Sequence, residues 1–301
     1  MEFKKLTLNE IPLIKPFFVI QKSRICDYSI GGLFMWRDFF YTEYAVEENI
    51  LFFKVKYVND MIAFTIPMAE SQEAVRRGLD LLCGYAAQNH YDPIFCMTSA
   101  EDRSVIEDYF SWKGFSVLCR SDRKWADYLY TAESFLEFKG KRMHGQRNHV
   151  NKFKATYPNW TFREIGPELL PDCLSLLEKI TRRNTKSDPI ALEELAKTRE
   201  VLENYAVYGM LGACLYVEDQ IVGFSVGEIV YDTLIVHIEK GDTDYEGVYQ
   251  VLSNEFAKRF VTPEVKYINR EDDSGDSNLR TSKLSYHPLK ILEKFTIWIE
   301  Q

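Results

Sequence analysis

The sequence predicts an α+β protein with two domains, each a mixed, mostly antiparallel sheet flanked by helices. Three observations support this fold class. The chain has 301 residues, and a typical domain has roughly 150. Its two halves show the same order of elements: a helix, a meander of three strand-like runs, a second helix and a further strand. Residues 232–290 contain a strand–loop–helix–strand unit, in which the charged residues after the two strands should meet at one site.

The first domain is predicted over residues 1–128. An aromatic segment at 27–40 favours core packing over a lid across a pocket. Ser71 is a predicted N-cap, and the helix after it has apolar residues three or four positions apart. The predicted elements are a helix at 8–20, strands at 41–46, 50–57 and 61–66, a helix at 71–89, a strand at 94–97, a helix at 100–110 and a strand at 115–118.

The second domain is predicted over residues 129–301. Short apolar runs between polar turns indicate its strands, and longer stretches with helical spacing indicate its helices. The predicted elements are a strand at 160–165, helices at 169–183 and 189–207, strands at 210–217, 221–229 and 233–238, a helix at 248–260, a strand at 265–268 and a final strand at 295–300.

The composition argues against several classes of function. A net charge of −8 disfavours nucleic-acid binding by the whole surface. No apolar run approaches the ~18 residues of a membrane span, and the N-terminus lacks the features of a signal peptide. The six cysteines show no metal-ligand spacing, so we expect buried thiols and no metal site. These observations predict a cytoplasmic protein, with peripheral attachment to a membrane as the alternative.

A basic segment, residues 139–154, interrupts this acidic composition. It contains no acid and carries Lys139, Lys141, Arg142, Arg147, Lys152 and Lys154. Two histidines, His144 and His149, can add charge. The pattern favours recognition of phosphates and a solvated helix face about equally.

An acidic loop follows the predicted strand 233–238. The element order around it resembles the GNAT N-acyltransferase fold, whose loop at this place holds the pyrophosphate of coenzyme A with backbone N–H groups. The usual signature is R/Q-x-x-G-x-G/A. With Gly247 as its first glycine, Asp244 replaces the Arg or Gln and Tyr249 replaces the second small residue. Four acids should repel a pyrophosphate: Glu239, Asp242, Asp244 and Glu246.

Short motifs between about residues 127 and 290 carry a more specific resemblance. They are Arg147-Asn148-His149 with Phe153, His237-x-Glu239-Lys240, Gly247-x-Tyr249, Asn269-Arg270-Glu271-Asp272-Asp273-x-Gly275, Leu279-Arg280-x-x-Lys283 and Tyr286-x-Pro288. With these motifs the chain resembles bacterial proteins that match the C-terminal catalytic domain of phosphatidylglycerol lysyltransferase. Those are tandem-GNAT proteins related to the Fem-type aminoacyl-tRNA-dependent transferases. The tandem arrangement extends the resemblance to the whole chain.

This resemblance implies transfer of an amino acid, with lysine as a candidate, from aminoacyl-tRNA to a nucleophilic acceptor. It implies no metal, no cofactor and no covalent enzyme intermediate, with aminoacyl-tRNA as the co-substrate. Residues 139–154 would bind the acceptor end of the tRNA. The full synthases carry a multi-helix membrane portion that this sequence lacks, so the acceptor, a small molecule or a lipid, stays open.

The motif residues fit this chemistry independently. Acids form a predicted pocket for an ammonium group, two of them can orient the donor or take a proton, and a basic pair can bind a phosphate or stabilise an oxyanion. The pocket residues are Glu239, Glu271, Asp272 and Asp273; the predicted catalytic residues are Asp272, Asp273, Arg280, and His237 and Tyr249 as proton relays. The other predicted substrate-binding residues are Lys240, Asn269, Lys283, Arg147, Asn148 and His149.

Structural roles stay open for the same residues. Glu239–Lys240 and Glu271–Arg280 can be ion pairs that hold the splayed strands, and His237 can be a hydrogen-bonded core residue. Two other functions also stay open. One is an acyl-coenzyme A-dependent N-acyltransferase with a degenerate loop, which the acidic loop disfavours. The other is a non-catalytic module that binds an amino acid or a tRNA end.

Overall fold

A computed structural model describes residues 1–57, 61–183 and 188–300. It divides the chain into two compact units, residues 1–127 with 292–301 (the first unit) and residues 128–291 (the second unit). The chain contains two seven-stranded mixed sheets flanked by helices, which confirms the predicted fold class.

The first unit follows the predicted order of elements closely. Its elements are β1 (Lys4–Lys5), α1 (Ile11–Ile20), α2 (Ile30–Trp36), β2 (Glu43–Glu47), β3 (Ile50–Tyr57), β4 (Met61–Phe64), α3 (Gln72–Gln88), β5 (Ile94–Thr98), α4 (Ala100–Trp112), β6 (Ser116–Ser121) and, from the end of the chain, β14 (Phe295–Glu300). The sheet order is β1-β2-β3-β4-β5-β14-β6. The pair β4–β5 is parallel, and the neighbouring pairs β2–β3 and β3–β4 are antiparallel.

The C-terminal strand is the main departure from the predicted domain boundaries. The predicted second domain, 129–301, included this strand, and residues 295–300 do form one. However, β14 pairs antiparallel with β5 and β6 and therefore belongs to the first unit. Strand propensity describes the segment itself, whereas its partners depend on long-range register and burial.

The aromatic segment 27–40 contributes to the core of the first unit. Ser29 is the N-cap of α2 and accepts the Gly32 N–H at 3.1 Å. Phe34 and Met35 of this helix are buried. Core packing, rather than a lid, is therefore confirmed for this helix.

The second unit contains the elements that carry the charged motifs. They are β7 (Asp127–Thr131), α5 (Ala132–Glu137), α6 (His144–Thr156), β8 (Trp160–Glu164), α7 (Leu170–Arg183), α8 (Pro189–Glu203), α9 (Tyr205–Tyr208), β9 (Leu211–Val217), β10 (Gln220–Val230), β11 (Thr233–Gly241), α10 (Val248–Phe260), β12 (Tyr267–Asn269), α11 (Ser277–Leu284) and β13 (Lys290–Leu292). The sheet order is β13-β7-β12-β11-β10-β9-β8.

Helices cover both faces of this second sheet. Ala213 and Leu215 of β9 belong to the core cluster that α5, α6 and α10 complete. Cys214, between them, points the other way and lies 3.2 Å from Cys173 of α7, sulfur to sulfur. This alternation follows from the two-residue period of a strand. Helices α10 and α7 therefore pack against opposite faces of the sheet.

Strands β11 and β12 pair along only part of their length. Thr233–Ile235 pairs in parallel with Tyr267–Asn269. Beyond that point β11 continues to Gly241, while the chain after β12 turns into the loop 270–276. The two strands therefore splay apart, and the charged motifs lie where they separate.

Candidate functional site

The two charged segments predicted to meet do so at the splay between β11 and β12. Arg270 Nε donates to Glu239 Oε2 at 3.0 Å, and Arg270 Nη2 donates to the same oxygen. Nδ1 of His237 lies 2.7 Å from Oε1 of Glu271. These partners are 31 and 34 residues apart in sequence. The prediction that both segments form one site is confirmed.

Arg270 lies at the centre of this arrangement, although the sequence prediction gave it no role. Its side chain is buried, and its guanidinium lies 4.6 Å from the ring centroid of Tyr286 and 5.7 Å from that of Phe135. The signal for it was present, because an arginine directly after a buried strand needs a buried partner. That partner, Glu239, was expected to pair with Lys240.

His237 is clamped between two carboxylates. Nε2 lies 3.0 Å from Glu228 Oε1, on the side opposite Glu271, and the imidazole is completely buried. Burial by itself lowers the pKa of His237, but the bonds to Glu228 and Glu271 outweigh it and raise the pKa to about 10. An imidazolium at neutral pH has no lone pair to accept a proton, so the geometry argues against His237 as a proton relay. Glu228, an acid within the apolar run 221–229, was missed at the sequence level.

Asp273 is buried and fully engaged. It accepts bonds from the Tyr128 hydroxyl at 2.6 Å, from Arg280 Nε and Nη2 at 2.8 Å each, and from the Gly275 N–H at 2.9 Å. Burial raises the pKa of Asp273, but the bonds from Arg280, Tyr128 and Gly275 outweigh it and lower the pKa to about 2. So stable an anion is a poor proton acceptor, and its geometry is that of a loop anchor.

Lys283 anchors the same loop from α11. Its ammonium is buried and donates to the carbonyl of Arg270 at 2.5 Å and to that of Asp272. Lys283 and Arg280 do share a face of α11, as predicted from their spacing. That face turns toward the loop, so both side chains bind protein groups where phosphate binding was predicted.

The remaining predicted residues of this site have clear local contacts. Asn269 is buried, and its Oδ1 accepts the Glu271 N–H at 2.7 Å. Asp272 is half-buried, and its Oδ1 accepts the Ser274 N–H at 2.9 Å. The Tyr249 hydroxyl lies 3.4 Å from the Gly241 carbonyl, and burial raises the pKa of this tyrosine.

Both ion pairs expected as structural alternatives are replaced by others. Glu239 binds Arg270, while Lys240 binds Glu194 of α8 at 2.6 Å. Neighbouring residues of a strand point to opposite faces, so Glu239 and Lys240 cannot meet. Arg280 binds Asp273 rather than Glu271, which binds His237.

These pairs also correct the predicted anionic pocket. Glu239 pairs with Arg270, Glu271 with His237 and Asp273 with Arg280. The site is therefore an ion-paired polar network, not an open anionic pocket. Such a network suits neutral polar groups better than an ammonium ion.

The acidic loop after β11 is organised around Asp242. This carboxylate is 1% exposed, binds Lys179 and lies 2.8 Å from Arg183 Nη1 of α7. Its Oδ1 accepts the Asp244 N–H at 3.2 Å. Burial raises the pKa of Asp242, but these partners outweigh it and hold the pKa below its ordinary value. The chain thus places a buried anion in the loop between β11 and α10.

Gly247 closes this loop onto α6. Its φ of 88° lies in the left-handed region, and a Cβ there would come within 2.8 Å of the His149 carbonyl oxygen. Only glycine fits both conditions without strain. The contact is also what brings the Arg147-Asn148-His149 motif to the loop: His149 contributes its backbone, while its side chain is exposed.

A sequence model of the family described as "Phosphatidylglycerol lysyltransferase, C-terminal" matches residues 18–298. The chain belongs to this family. It is 31% identical over 175 residues to an uncharacterised protein of Mycoplasmoides gallisepticum, in an alignment that covers 57% of this chain and 55% of the relative. The chain therefore spans about half the length of the curated relative it matches.

Solved structures share the whole fold. A conserved protein of unknown function from Bacteroides thetaiotaomicron superposes with a TM-score of 0.89 at 30% identity, covering 100% of both chains. The L-PGS structure from Bacillus licheniformis superposes with a TM-score of 0.68 at 13% identity, covering 95% of this chain and 91% of that one. Across the residues that the structure describes here, no helix is long and apolar enough to span a membrane.

In this member of the lysyltransferase C-terminal family, much of the basic segment is paired. Lys152 binds Glu246 at 2.6 Å, and Lys154 binds Glu255 at 2.7 Å. Lys139 binds Glu137 at 2.9 Å, and Arg147 Nη1 donates to the Phe138 carbonyl at 2.5 Å. The side chains of Lys141, Arg142 and Asn148 are exposed or nearly so, and Asn148 contacts His144. Near the end of the segment both lysines pair with glutamates, whereas Lys141 and Arg142 near its start are exposed.

One group in the first unit has the spacing of a metal site. Cys26, Asp27 and Asp127 bring their potential ligand atoms within 4.8 Å of one another. The ammonium of Lys294 lies 2.6 Å from Asp27, 2.8 Å from Asp127 and 3.2 Å from the Cys26 sulfur. The ammonium of Lys294 thus already lies among these ligand atoms, and its single positive charge balances one of the two carboxylates.

Proposed function

We propose that this protein is an aminoacyl transferase that takes an amino acid from aminoacyl-tRNA and passes it to a nucleophilic acceptor. Membership of the lysyltransferase C-terminal family supports the transferase class. The choice of aminoacyl-tRNA over acyl-coenzyme A as the donor rests on the hydrogen bonds and charges of the loop between β11 and α10. In the GNAT fold this loop binds coenzyme A.

Three N–H groups of this loop that could face a pyrophosphate are already used within it. The Asp244 N–H donates to the Asp242 carboxylate, the Tyr245 N–H to the Asp242 carbonyl at 3.0 Å, and the Val248 N–H to the Tyr245 carbonyl at 3.1 Å. A pyrophosphate would have to break these bonds and approach the carboxylates of Asp242 and Asp244. Helix N-termini bind phosphate only when their N–H groups and positive potential are available. Coenzyme A is therefore disfavoured as the carrier.

The ion-paired network at the splay supports binding of a polar, uncharged group such as an ester. Asp272 is the proposed proton acceptor, because it lies in the loop that follows β12 at the splay and its side chain is half-buried. Arg280 keeps Asp273 in place and is half-exposed, so its proposed role is electrostatic support of the reaction. The acids expected to bind the ammonium group of lysine are engaged in ion pairs, so they do not support lysine as the transferred amino acid. Its support is the family name.

A non-catalytic binding module is the second candidate. The observation that favours it is the engagement of His237 and Asp273 by protein groups, which holds both side chains in their charged forms. An enzyme and a binding module would both bind charged tRNA, so they are distinguished by whether the amino acid is transferred.

The test is a titration of the purified protein with charged tRNA, the same tRNA uncharged, and acetyl-coenzyme A. The charged samples are lysyl-tRNA and, separately, total tRNA charged with a mixture of amino acids. The result then does not depend on which amino acid the protein transfers. Tighter binding of charged tRNA, with loss of the amino acid in the presence of acceptor, is expected. Saturable binding of acetyl-coenzyme A without a preference for charged tRNA would contradict the proposal, and preference without transfer would favour the module.

A further inference from the structure

Two buried hydrogen-bond donors at the splay have no partner among the described residues. They are the hydroxyl of Ser225 and Nη1 of Arg270. Ser225 is 0% exposed and Arg270 is 8% exposed. An unpaired buried polar group destabilises a fold. Two such groups in one place therefore point to a ligand.

The register of the sheet places both donors on the same face. Ser225 of β10 lies opposite Glu239 of β11, and opposed residues of an antiparallel pair point to the same side. That side is the α10 side, because a Cβ at Gly223, two residues before Ser225, would come within 2.7 Å of Leu252 in α10. The guanidinium of Arg270 reaches this face by its bonds to Glu239. Two hydrogen-bond donors without a described partner therefore lie next to Glu239: the Ser225 hydroxyl across the sheet and Nη1 of Arg270.

The chemistry of the two groups defines the ligand atom. Both donate, so the ligand atom must accept hydrogen bonds, as an oxygen does. The charge of Arg270 is already balanced by Glu239, and the rings of Phe135 and Tyr286 line the guanidinium. A carboxylate or phosphate would be an uncompensated buried anion beside Glu239. A neutral carbonyl oxygen fits these conditions.

We propose that Ser225 and Arg270 form the subsite for the carbonyl oxygen of the transferred acyl group. This inference rests on the proposed function and gives Ser225 and Arg270 the oxyanion role that the sequence suggested for Arg280 and Lys283, which bind protein groups. During transfer, the acceptor nitrogen or oxygen forms a bond to the carbonyl carbon, and the carbonyl oxygen gains negative charge. The ester bond then breaks, and the ribose oxygen leaves with its electron pair and takes up the proton that the acceptor loses. The two donors stabilise the oxygen while it is charged.

The decisive variant is Ser225→Ala, because it removes one donor without touching the Glu239–Arg270 pair. We expect an unchanged or higher melting temperature, since an unpaired buried hydroxyl is lost. Affinity for uncharged tRNA should not change. The preference for charged over uncharged tRNA should fall by roughly three- to tenfold, the range of one neutral hydrogen bond.

Ser29→Ala in the first unit is the matched control. Ser29 is also 0% exposed, but its hydroxyl donates to the Cys26 carbonyl at 2.5 Å and accepts the Gly32 N–H. This variant should lower the melting temperature and leave the preference for charged tRNA intact. The pair of variants separates loss of a structural hydroxyl from loss of a ligand contact.

Each outcome decides between the two proposals. A wild-type preference for charged tRNA that Ser225→Ala retains would overturn the carbonyl subsite and leave the proposed function standing. A lower melting temperature in Ser225→Ala would show that the hydroxyl has a structural partner, and would also overturn the subsite. If wild type shows no preference for charged over uncharged tRNA, the proposal that aminoacyl-tRNA is the acyl donor is refuted. In that case the subsite is tested by the affinity of wild type for acetyl-coenzyme A relative to its affinity for coenzyme A. If wild type does not prefer acetyl-coenzyme A either, both proposals are overturned.

Discussion

Arg270 binds Glu239 across the splay between β11 and β12, with Nε 3.0 Å from Oε2. The side chains are 8% and 13% exposed, so neither charge is well solvated. Glu239→Ala should therefore lower the free energy of unfolding by about 3–5 kcal/mol, as expected when a buried charge loses its partner. Urea unfolding measures this loss. The double variant Glu239→Leu with Arg270→Met should recover part of it, and equal losses in both variants would contradict the pairing.

His237 should make stability fall as pH rises. Its pKa of about 10 in the folded protein lies above the ordinary value of 6.5. The clamp therefore contributes fully below pH ~6.5 and is lost as the pH rises toward 10. Urea unfolding at pH 6, 8 and 10 should show wild type losing a few kcal/mol more than His237→Gln, on the order expected for such a shift. Parallel pH profiles for the two proteins would refute the clamp.

Asp273 should matter for stability as well as for activity. Its pKa of about 2 lies below the ordinary value of 3.8, so its contribution is present above pH ~4 and is lost as the pH falls through 2. Asp273→Asn weakens the bonds from Tyr128 and Arg280 and should cost about 1–3 kcal/mol at pH 7. The comparison is Asp276→Asn, the N-cap of α11, where asparagine caps as well as aspartate. Equal unfolding midpoints for wild type and Asp273→Asn would contradict the anchor.

Asp242 should determine whether the loop excludes pyrophosphate. Replacing Asp242 and Asp244 with asparagine leaves Lys179 and Arg183 without carboxylate partners at the start of α10. The double variant should gain measurable affinity for coenzyme A by calorimetry, whereas wild type should show none. Glu246→Gln is the control, because its carboxylate pairs with Lys152 on the surface. Saturable coenzyme A binding by wild type would refute the exclusion.

The basic segment should bind tRNA mainly through its exposed start. Lys141→Ala with Arg142→Ala removes two exposed cations and should reduce the slope of log affinity against log salt by about 1.4–1.8, the value for two phosphate contacts. Lys152→Ala with Lys154→Ala removes two cations that already bind glutamates, and should change the slope less. Equal slopes in wild type and both variants would assign the segment to a solvated helix face.

Element type was largely predictable from the sequence because it depends on local periodicity. The helix at 248–260 and the strand at 295–300 were predicted with the bounds that the structure shows. Short elements such as β7 (Asp127–Thr131) and β13 (Lys290–Leu292) were missed, since a few residues carry little periodic signal.

The assembly of the site was predictable in outline because two charged segments follow neighbouring strands. The partners within it were not. Glu239 and Lys240 are adjacent in sequence but face opposite sides of β11, and Glu228 reaches His237 from a different strand. A side chain's partner depends on the face it occupies and on the register of its strand.

Most helices and strands, the family resemblance and the segments that carry the charged groups could be read from the amino-acid order, because they follow from residue pattern and motif spacing. Three features depended on the three-dimensional fold: β14 completes the first sheet, Asp242 is buried in the loop before α10, and Arg270 pairs with Glu239 while Arg280 pairs with Asp273. These are contacts between residues distant in sequence. Burial makes them strong enough to settle which groups stay ionised and which remain available to a substrate.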